Sequence, residues 1–147
     1  MSVHQQPTSA GGDRAAMNLP RIAEMKLNAE PIVMVTAYDH PSAQVAEAAE
    51  VDMVLVGDSA AMTVLGYDST VPVGLDEMVM LASAVRRGLK TPLLVGDLPF
   101  GSYESSDEQA VASAMRFVKE AGCDAVKLER GGSSVDRARA IIRAGSR

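Results

Sequence analysis

Four short apolar segments alternate with longer segments of helical spacing, and this alternation restricts the chain to a few folds. The apolar segments are rich in β-branched residues and apolar at successive positions, which is typical of parallel strands covered on both faces. They occupy residues 32–36, 53–56, 93–95 and 125–128. Between and after them, apolar residues recur at helical spacing after Pro41 and over 75–87, 107–121 and 134–144.

Strands that alternate with helices predict right-handed βαβ units and a parallel sheet. Two architectures remain open: a small doubly wound sheet, or the first four units of a (β/α)8 TIM barrel, which typically takes about 250 residues in full. The chain ends just after its last predicted helix, where a fifth strand would begin. This ending is typical of an interrupted series of β/α units. Ser105 and Glu108 have the spacing of a capping box at the start of the 107–121 helix.

The composition of the first twenty residues differs from that of the rest. Residues 1–20 combine Gln, Pro, Ser and Gly with few residues that could be buried, which predicts a flexible amino-terminal arm. Residues 21–147 keep a uniform character and predict one domain, which in the barrel alternative is a partial (β/α) barrel, truncated.

Charge and residue usage exclude several classes of function. The 19 acidic and 14 basic residues give a net charge of −5, so we expect no nucleic-acid partner and no membrane partner. One cysteine cannot form an internal disulfide, and two histidines are too few for a typical zinc cluster. The apolar runs are far shorter than the roughly 20 residues of a membrane span, and the amino terminus lacks the apolar stretch of a signal peptide. A cytoplasmic location follows as an expectation.

Carboxylates follow three successive predicted strands. Asp58, Asp97 and Glu129 each lie at the carboxyl end of a different strand, and Lys127 precedes Glu129 by two positions. Because the carboxyl ends of parallel strands share one edge of a sheet, we expect these side chains to converge. Open α/β sheets and barrels place their functional sites at this edge.

Clustered carboxylates without cysteine or histidine favour a hard divalent ion, Mg²⁺ above all. Such an ion suits a 2-oxo acid, because the ketone and the carboxylate can both chelate it, and it then stabilises an enolate. Lys127 could hold the carboxylate of that acid. The alternative is structural: an aspartate after a strand is often a turn former or helix cap, and Ser59 has the character of a hydrogen-bonding turn residue.

Five segments of the chain resemble the ketopantoate hydroxymethyltransferase family in the same order. They are TAYD at 36–39, VGDS at 56–59, MTVLGYDSTVP at 62–72, DLPF at 97–100 and VKLE at 126–129. The resemblance extends from about residue 20 to residue 145, which is nearly the full chain. No single segment is specific, but the five together are.

The resemblance implies an Mg²⁺-dependent barrel enzyme of the phosphoenolpyruvate-mutase-like superfamily. Such an enzyme transfers a hydroxymethyl group from 5,10-methylenetetrahydrofolate to 3-methyl-2-oxobutanoate, giving 2-dehydropantoate in pantothenate biosynthesis. The implied metal ligands are Asp58, Asp97 and Glu129, and the implied contacts to the 2-oxo acid are Asp58, Ser59, Asp97 and Lys127. The family forms large homo-oligomers, commonly decamers, and its general base is a glutamate of later strands with no counterpart before Arg147.

The chain also departs from the family. The family has Gly-Gly after its glutamate, whereas Arg130 follows Glu129 here. Two further interpretations stay open. One is a non-catalytic fragment that binds Mg²⁺ and a 2-oxo acid, and the other is a different Mg²⁺-dependent 2-oxo acid lyase or mutase of the same superfamily.

Overall fold

The computed structural model describes residues 14–129 and 131–145 of the 147-residue chain. Its strands are β1 (Met34–Thr36), β2 (Met53–Val56), β3 (Leu93–Asp97) and β4 (Ala125–Lys127). Its helices are α1 (Leu19–Leu27), α2 (His40–Ala48), α3 (Ala60–Thr63), α4 (Leu75–Arg86), α5 (Asp107–Ala121) and α6 (Ser133–Arg143). Within the described ranges, no helix combines the length and the apolar character needed to cross a membrane.

The order of the strands decides between the two expected architectures. The sheet has the order β1-β2-β3-β4, and every neighbouring pair is parallel. A doubly wound sheet reverses its order at a switch point, whereas a barrel keeps the order of the chain. Helices α2, α4, α5 and α6 also follow one another in a single layer, each packed against the next. The four β/α units are therefore wound as in a barrel, which is the second of the two architectures that the alternation of segments left open.

Helix α5 has the bounds that its spacing predicted, but its cap lies one residue further along. The cap is Ser106, whose Oγ accepts a hydrogen bond from the backbone N–H of Gln109. The Gln109 side chain accepts in turn from the backbone N–H of Ser105. The predicted pairing of Ser105 with Glu108 is therefore wrong.

Contacts hold the chain before α1, within the segment where the sequence predicted an arm. Arg14 forms an ion pair with Asp52, with 2.6 Å between Nη2 and Oδ1, and donates to the backbone carbonyls of Glu50 and Val51. The side chain of Asn18 caps α1, which begins inside the 1–20 segment. Residues 1–13 lie outside the described residues, and for them the arm stays a prediction.

The core centres on β3, in which all five residues are buried. At Gly96 the ring of Phe117 from α5 lies directly on the strand, so that an added Cβ would be 2.3 Å from the ring Cδ1. Strand β1 differs from the covered strand that its sequence predicted. It pairs with β2 alone, and Met34 and Val35 are 49% and 36% exposed. The apolar sequence of β1 thus marks a surface that these four units leave uncovered.

The packing at Gly96 predicts a specific loss of stability. Gly96→Ala places a methyl group inside the ring of Phe117, so we expect the free energy of unfolding to fall by about 1–3 kcal/mol. Urea denaturation followed by circular dichroism measures this change. Gly131→Ala is the matched control, because its added Cβ meets nothing within 4 Å. Equal stability of the two variants would contradict the packing described here.

Candidate functional site

The predicted site residues follow three neighbouring strands. Asp97 is the last residue of β3, and the register places it directly beside Lys127, the last residue of β4. Asp58 follows β2 by two residues and Glu129 follows β4 by two. We term Asp58, Asp97, Lys127 and Glu129 the strand-end cluster.

Asp97 is the buried centre of the strand-end cluster, with 1% of the residue exposed. Its Oδ2 accepts a hydrogen bond from the backbone N–H of Asp58 at 3.1 Å. Its Oδ1 lies 2.8 Å from the Nζ of Lys127. One carboxylate therefore contacts the loop after β2 on one side and strand β4 on the other.

Lys127 bridges two carboxylates. Besides Asp97, its Nζ lies 2.7 Å from the Oε1 of Glu129, whose side chain is 62% exposed. The hydroxyl of Tyr103 and the hydroxyl of Ser134 both donate to the backbone carbonyl of Glu129, at 3.1 and 2.9 Å. These two bonds fix the backbone at the end of β4. Arg130, the departure from the family pattern, lies outside the described residues.

Burial raises the pKa of Asp97 above its usual range, and the nearby charge of Asp58 adds to the rise. The contact with Lys127 and the hydrogen bond from the Asp58 N–H offset part of it. Burial lowers the pKa of Lys127, but its contacts with Asp97 and Glu129 outweigh this effect, so the net pKa is raised. Because the folded-state pKa of Asp97 exceeds its unfolded value, the stability that this group contributes decreases as pH rises through the folded pKa.

Ser59 is held by a residue that the sequence did not single out. Its Oγ lies 2.8 Å from the hydroxyl of Tyr38, which follows β1 by two residues. The side chain of Ser59 does not cap the short helix α3 that it precedes. Tyr38 in turn donates its backbone N–H to Ser42, which belongs to the capping box of α2. The hydroxyl of Ser59 is therefore oriented by Tyr38, and the position of Tyr38 after a strand was the available signal.

The strand-end cluster contains the oxygen donors that suit Mg²⁺, but it is not a preformed three-carboxylate cage. Within residues 14–129 and 131–145, no group of three histidine, cysteine, aspartate or glutamate side chains is arranged to hold a metal. The physical reason is that Lys127 lies between Asp97 and Glu129. Mg²⁺ usually keeps several waters and takes one or two carboxylates, which Asp58 and Asp97 can supply. The set of Asp58, Asp97 and Glu129 as metal ligands stays a prediction.

Comparison with known proteins places the chain beside one family. The family model described as ketopantoate hydroxymethyltransferase matches residues 16–146. A relative from Arabidopsis thaliana, "3-methyl-2-oxobutanoate hydroxymethyltransferase 1, mitochondrial", is 53% identical over 130 residues, covering 88% of this chain and 38% of its own. "3-Methyl-2-oxobutanoate hydroxymethyltransferase" from Moorella thermoacetica is 52% identical over 132 residues, covering 90% and 49%. The chain thus spans less than half the length of these relatives.

Solved structures confirm the barrel winding. A 2,3-dimethylmalate lyase of the PEP mutase/isocitrate lyase superfamily aligns with a TM-score of 0.66 at 19% identity, covering 86% of this chain and 49% of its own. An oxaloacetate acetylhydrolase aligns with a TM-score of 0.66 at 14% identity, covering 87% and 48%. At these identities the likeness concerns the fold alone. The four β/α units therefore have the fold of part of a TIM barrel.

The contacts around Asp97 predict pKa changes of opposite sign in two variants. Asp58→Asn removes a nearby negative charge and keeps the backbone N–H, so the pKa of Asp97 should fall. Lys127→Met removes a nearby positive charge, so the same pKa should rise further. Carbon-13 NMR of the aspartate carboxyl signals, followed against pH, measures both. Shifts of the same sign, or no shift, would contradict the described cluster.

Proposed function

The chain belongs to the ketopantoate hydroxymethyltransferase family, and on this basis we propose that its strand-end cluster binds a divalent cation and a 2-oxo acid for hydroxymethyl transfer. The relatives' names supply the acid, 3-methyl-2-oxobutanoate. The full reaction proposed takes the one-carbon unit from 5,10-methylenetetrahydrofolate and gives 2-dehydropantoate. Because the chain spans less than half of these relatives, the role proposed for the described residues is binding and orientation of the acid.

The observation that carries this proposal is the ion pair of the buried Asp97 with the partly exposed Lys127. Burying a charged carboxylate costs free energy that attraction to a partner often does not recover, and an apolar pair of similar volume would usually be at least as stable. Here the pair lies at the end of the sheet where barrels bind their ligands, with Asp58 adjacent. A charged pair in this position is therefore better explained by a ligand than by stability.

The residues divide the work of holding the substrate. Asp58 and Asp97 would hold Mg²⁺, and the ion, when bound, polarises the ketone and makes the proton at C3 more acidic. The ammonium of Lys127 binds the carboxylate of the acid as a charge-assisted partner. The hydroxyl of Ser59, oriented by Tyr38, donates a hydrogen bond to an oxygen of the acid. Glu129 completes the proposed ligand set, and a glutamate of later strands is proposed as the base at C3.

Partners and location are extensions of the same proposal. We propose a homo-oligomer, a decamer in the full-length family, on the strength of the resemblance alone. We likewise propose a cytoplasmic location. Relatives from Arabidopsis thaliana and Oryza sativa are named mitochondrial, whereas the names of the bacterial relatives give no location.

Binding without turnover is the second candidate function, and the strand-end cluster favours it because its groups are suited to holding a cation and an acid. In that case the strand-end cluster holds the cation and the acid but transfers nothing. A lyase or mutase activity is not favoured, because the solved lyase and hydrolase structures are at most 19% identical to the chain.

The proposal predicts that the 2-oxo acid binds only together with the cation. Isothermal titration of the chain with 3-methyl-2-oxobutanoate should give binding with Mg²⁺ and none without it. Asp97→Asn should weaken binding by about ten-fold or more, because it removes a charged contact. Asp136→Asn is the control, since this carboxylate lies on α6 with its side chain 67% exposed. Undiminished binding without Mg²⁺, or by a folded Asp97→Asn variant, would contradict the proposal.

A further inference from the structure

The two oxygens of Asp97 differ in the hydrogen bonds that they accept. Oδ2 accepts the backbone N–H of Asp58, and the side chain is only 2% exposed. The other oxygen, Oδ1, faces the ammonium of Lys127. A cation that binds Oδ1 must therefore compete with Lys127 for that atom.

The ammonium of Lys127 forms an ion pair with Oδ1 but does not give it a hydrogen bond. The distance of 2.8 Å makes an ion pair, yet within the described residues this buried oxygen accepts no hydrogen bond of acceptable geometry. A buried carboxylate oxygen with an unsatisfied lone pair is expensive. Mg²⁺ lies about 2.0–2.1 Å from a carboxylate oxygen and carries twice the charge, so it interacts with Oδ1 more strongly than the ammonium does.

The ammonium of Lys127 can move toward solvent when it leaves Asp97. Its side chain is 31% exposed, so part of it faces solvent. A long flexible stem lets such an ammonium move toward solvent while its base stays packed. The three carboxylates and one ammonium of the strand-end cluster also leave a net charge of minus two, which a divalent cation neutralises.

We propose that Lys127 is a resident counter-ion that a divalent cation displaces from Asp97, which frees the ammonium to receive the carboxylate of the 2-oxo acid. The inference rests on the proposed function and adds an order in which the two ligands bind. The cation binds first, and the acid follows because its lysine partner has been released. Lys127 thereby opposes cation binding in the absence of the acid and favours binding of the acid afterwards.

The test compares Mn²⁺ affinity in variants of the full chain without any acid present. Electron paramagnetic resonance of free Mn²⁺ measures the affinity directly and needs no turnover. Lys127→Met removes the competing charge, so it should bind Mn²⁺ about ten-fold or more tightly than the unaltered chain, a typical size for coupled binding events. Lys127→Arg keeps the charge and should stay weak. Lys119→Met removes an exposed lysine of α5 and should change nothing.

Equal or weaker Mn²⁺ binding by Lys127→Met would overturn the inference. If the unaltered chain and Lys127→Met bind Mn²⁺ equally well, only the role of Lys127 fails and the proposed cation site stands. If neither binds Mn²⁺, the cation site of the proposed function fails together with the inference.

A second measurement uses the unaltered chain, so it does not depend on whether the Lys127→Met variant folds. The chain has four lysines, at 26, 90, 119 and 127, and reductive methylation with a carbon-13 label gives each a separate probe that keeps its charge. Addition of Mg²⁺ should shift the Lys127 signal and leave the other three in place. A Lys127 signal that does not move at a Mg²⁺ concentration that saturates the protein would overturn the inference.

Discussion

A single buried carboxylate joins three strands of this sheet. Asp97 closes β3, accepts the backbone N–H of Asp58 beyond β2 and contacts the ammonium of Lys127 on β4. A buried carboxylate costs stability unless both of its oxygens have polar partners. The residues that supply those partners are therefore constrained in position. The backbone of Asp58 and the ammonium of Lys127 are both positioned by contacts with that carboxylate.

The apolar core supports the charged edge. The ring of Phe117 packs on Gly96, one residue before Asp97. Helix α5 therefore fixes the position of the end of β3, where the Asp97 carboxylate lies. Tyr103 and Ser134 fix the backbone of Glu129, two residues beyond the neighbouring strand β4. Packing and backbone contacts thus position the cluster, and among the described residues Oδ1 of Asp97 accepts no hydrogen bond, which leaves it open to a ligand.

The sequence was sufficient for the strands and main helices because their apolar patterns are strong, and for convergence of the carboxylates because parallel strands end together. The order of the strands in the sheet could not be predicted, because it depends on which strands pair with each other. The sequence also missed α1, whose start lies in a segment judged by composition, and it chose the wrong serine to cap α5 because two adjacent serines fit the pattern. Above all, the sequence did not show that the ammonium of Lys127 lies between the carboxylates of Asp97 and Glu129. That position depends on the register of β3 and β4 and on the length of the lysine side chain, and residue spacing gives neither.

The central claim is that the strand-end cluster is the cation site, and paramagnetic broadening by Mn²⁺ tests it most directly. Substoichiometric Mn²⁺ added to the carbon-13-labelled chain broadens carboxyl signals according to their distance from the bound ion. The account predicts that the signals of Asp58 and Asp97 disappear first. The signal of Asp124, which precedes β4 at the opposite end of the strands, should stay sharp. Loss of the Asp124 signal while that of Asp97 persists would contradict the account.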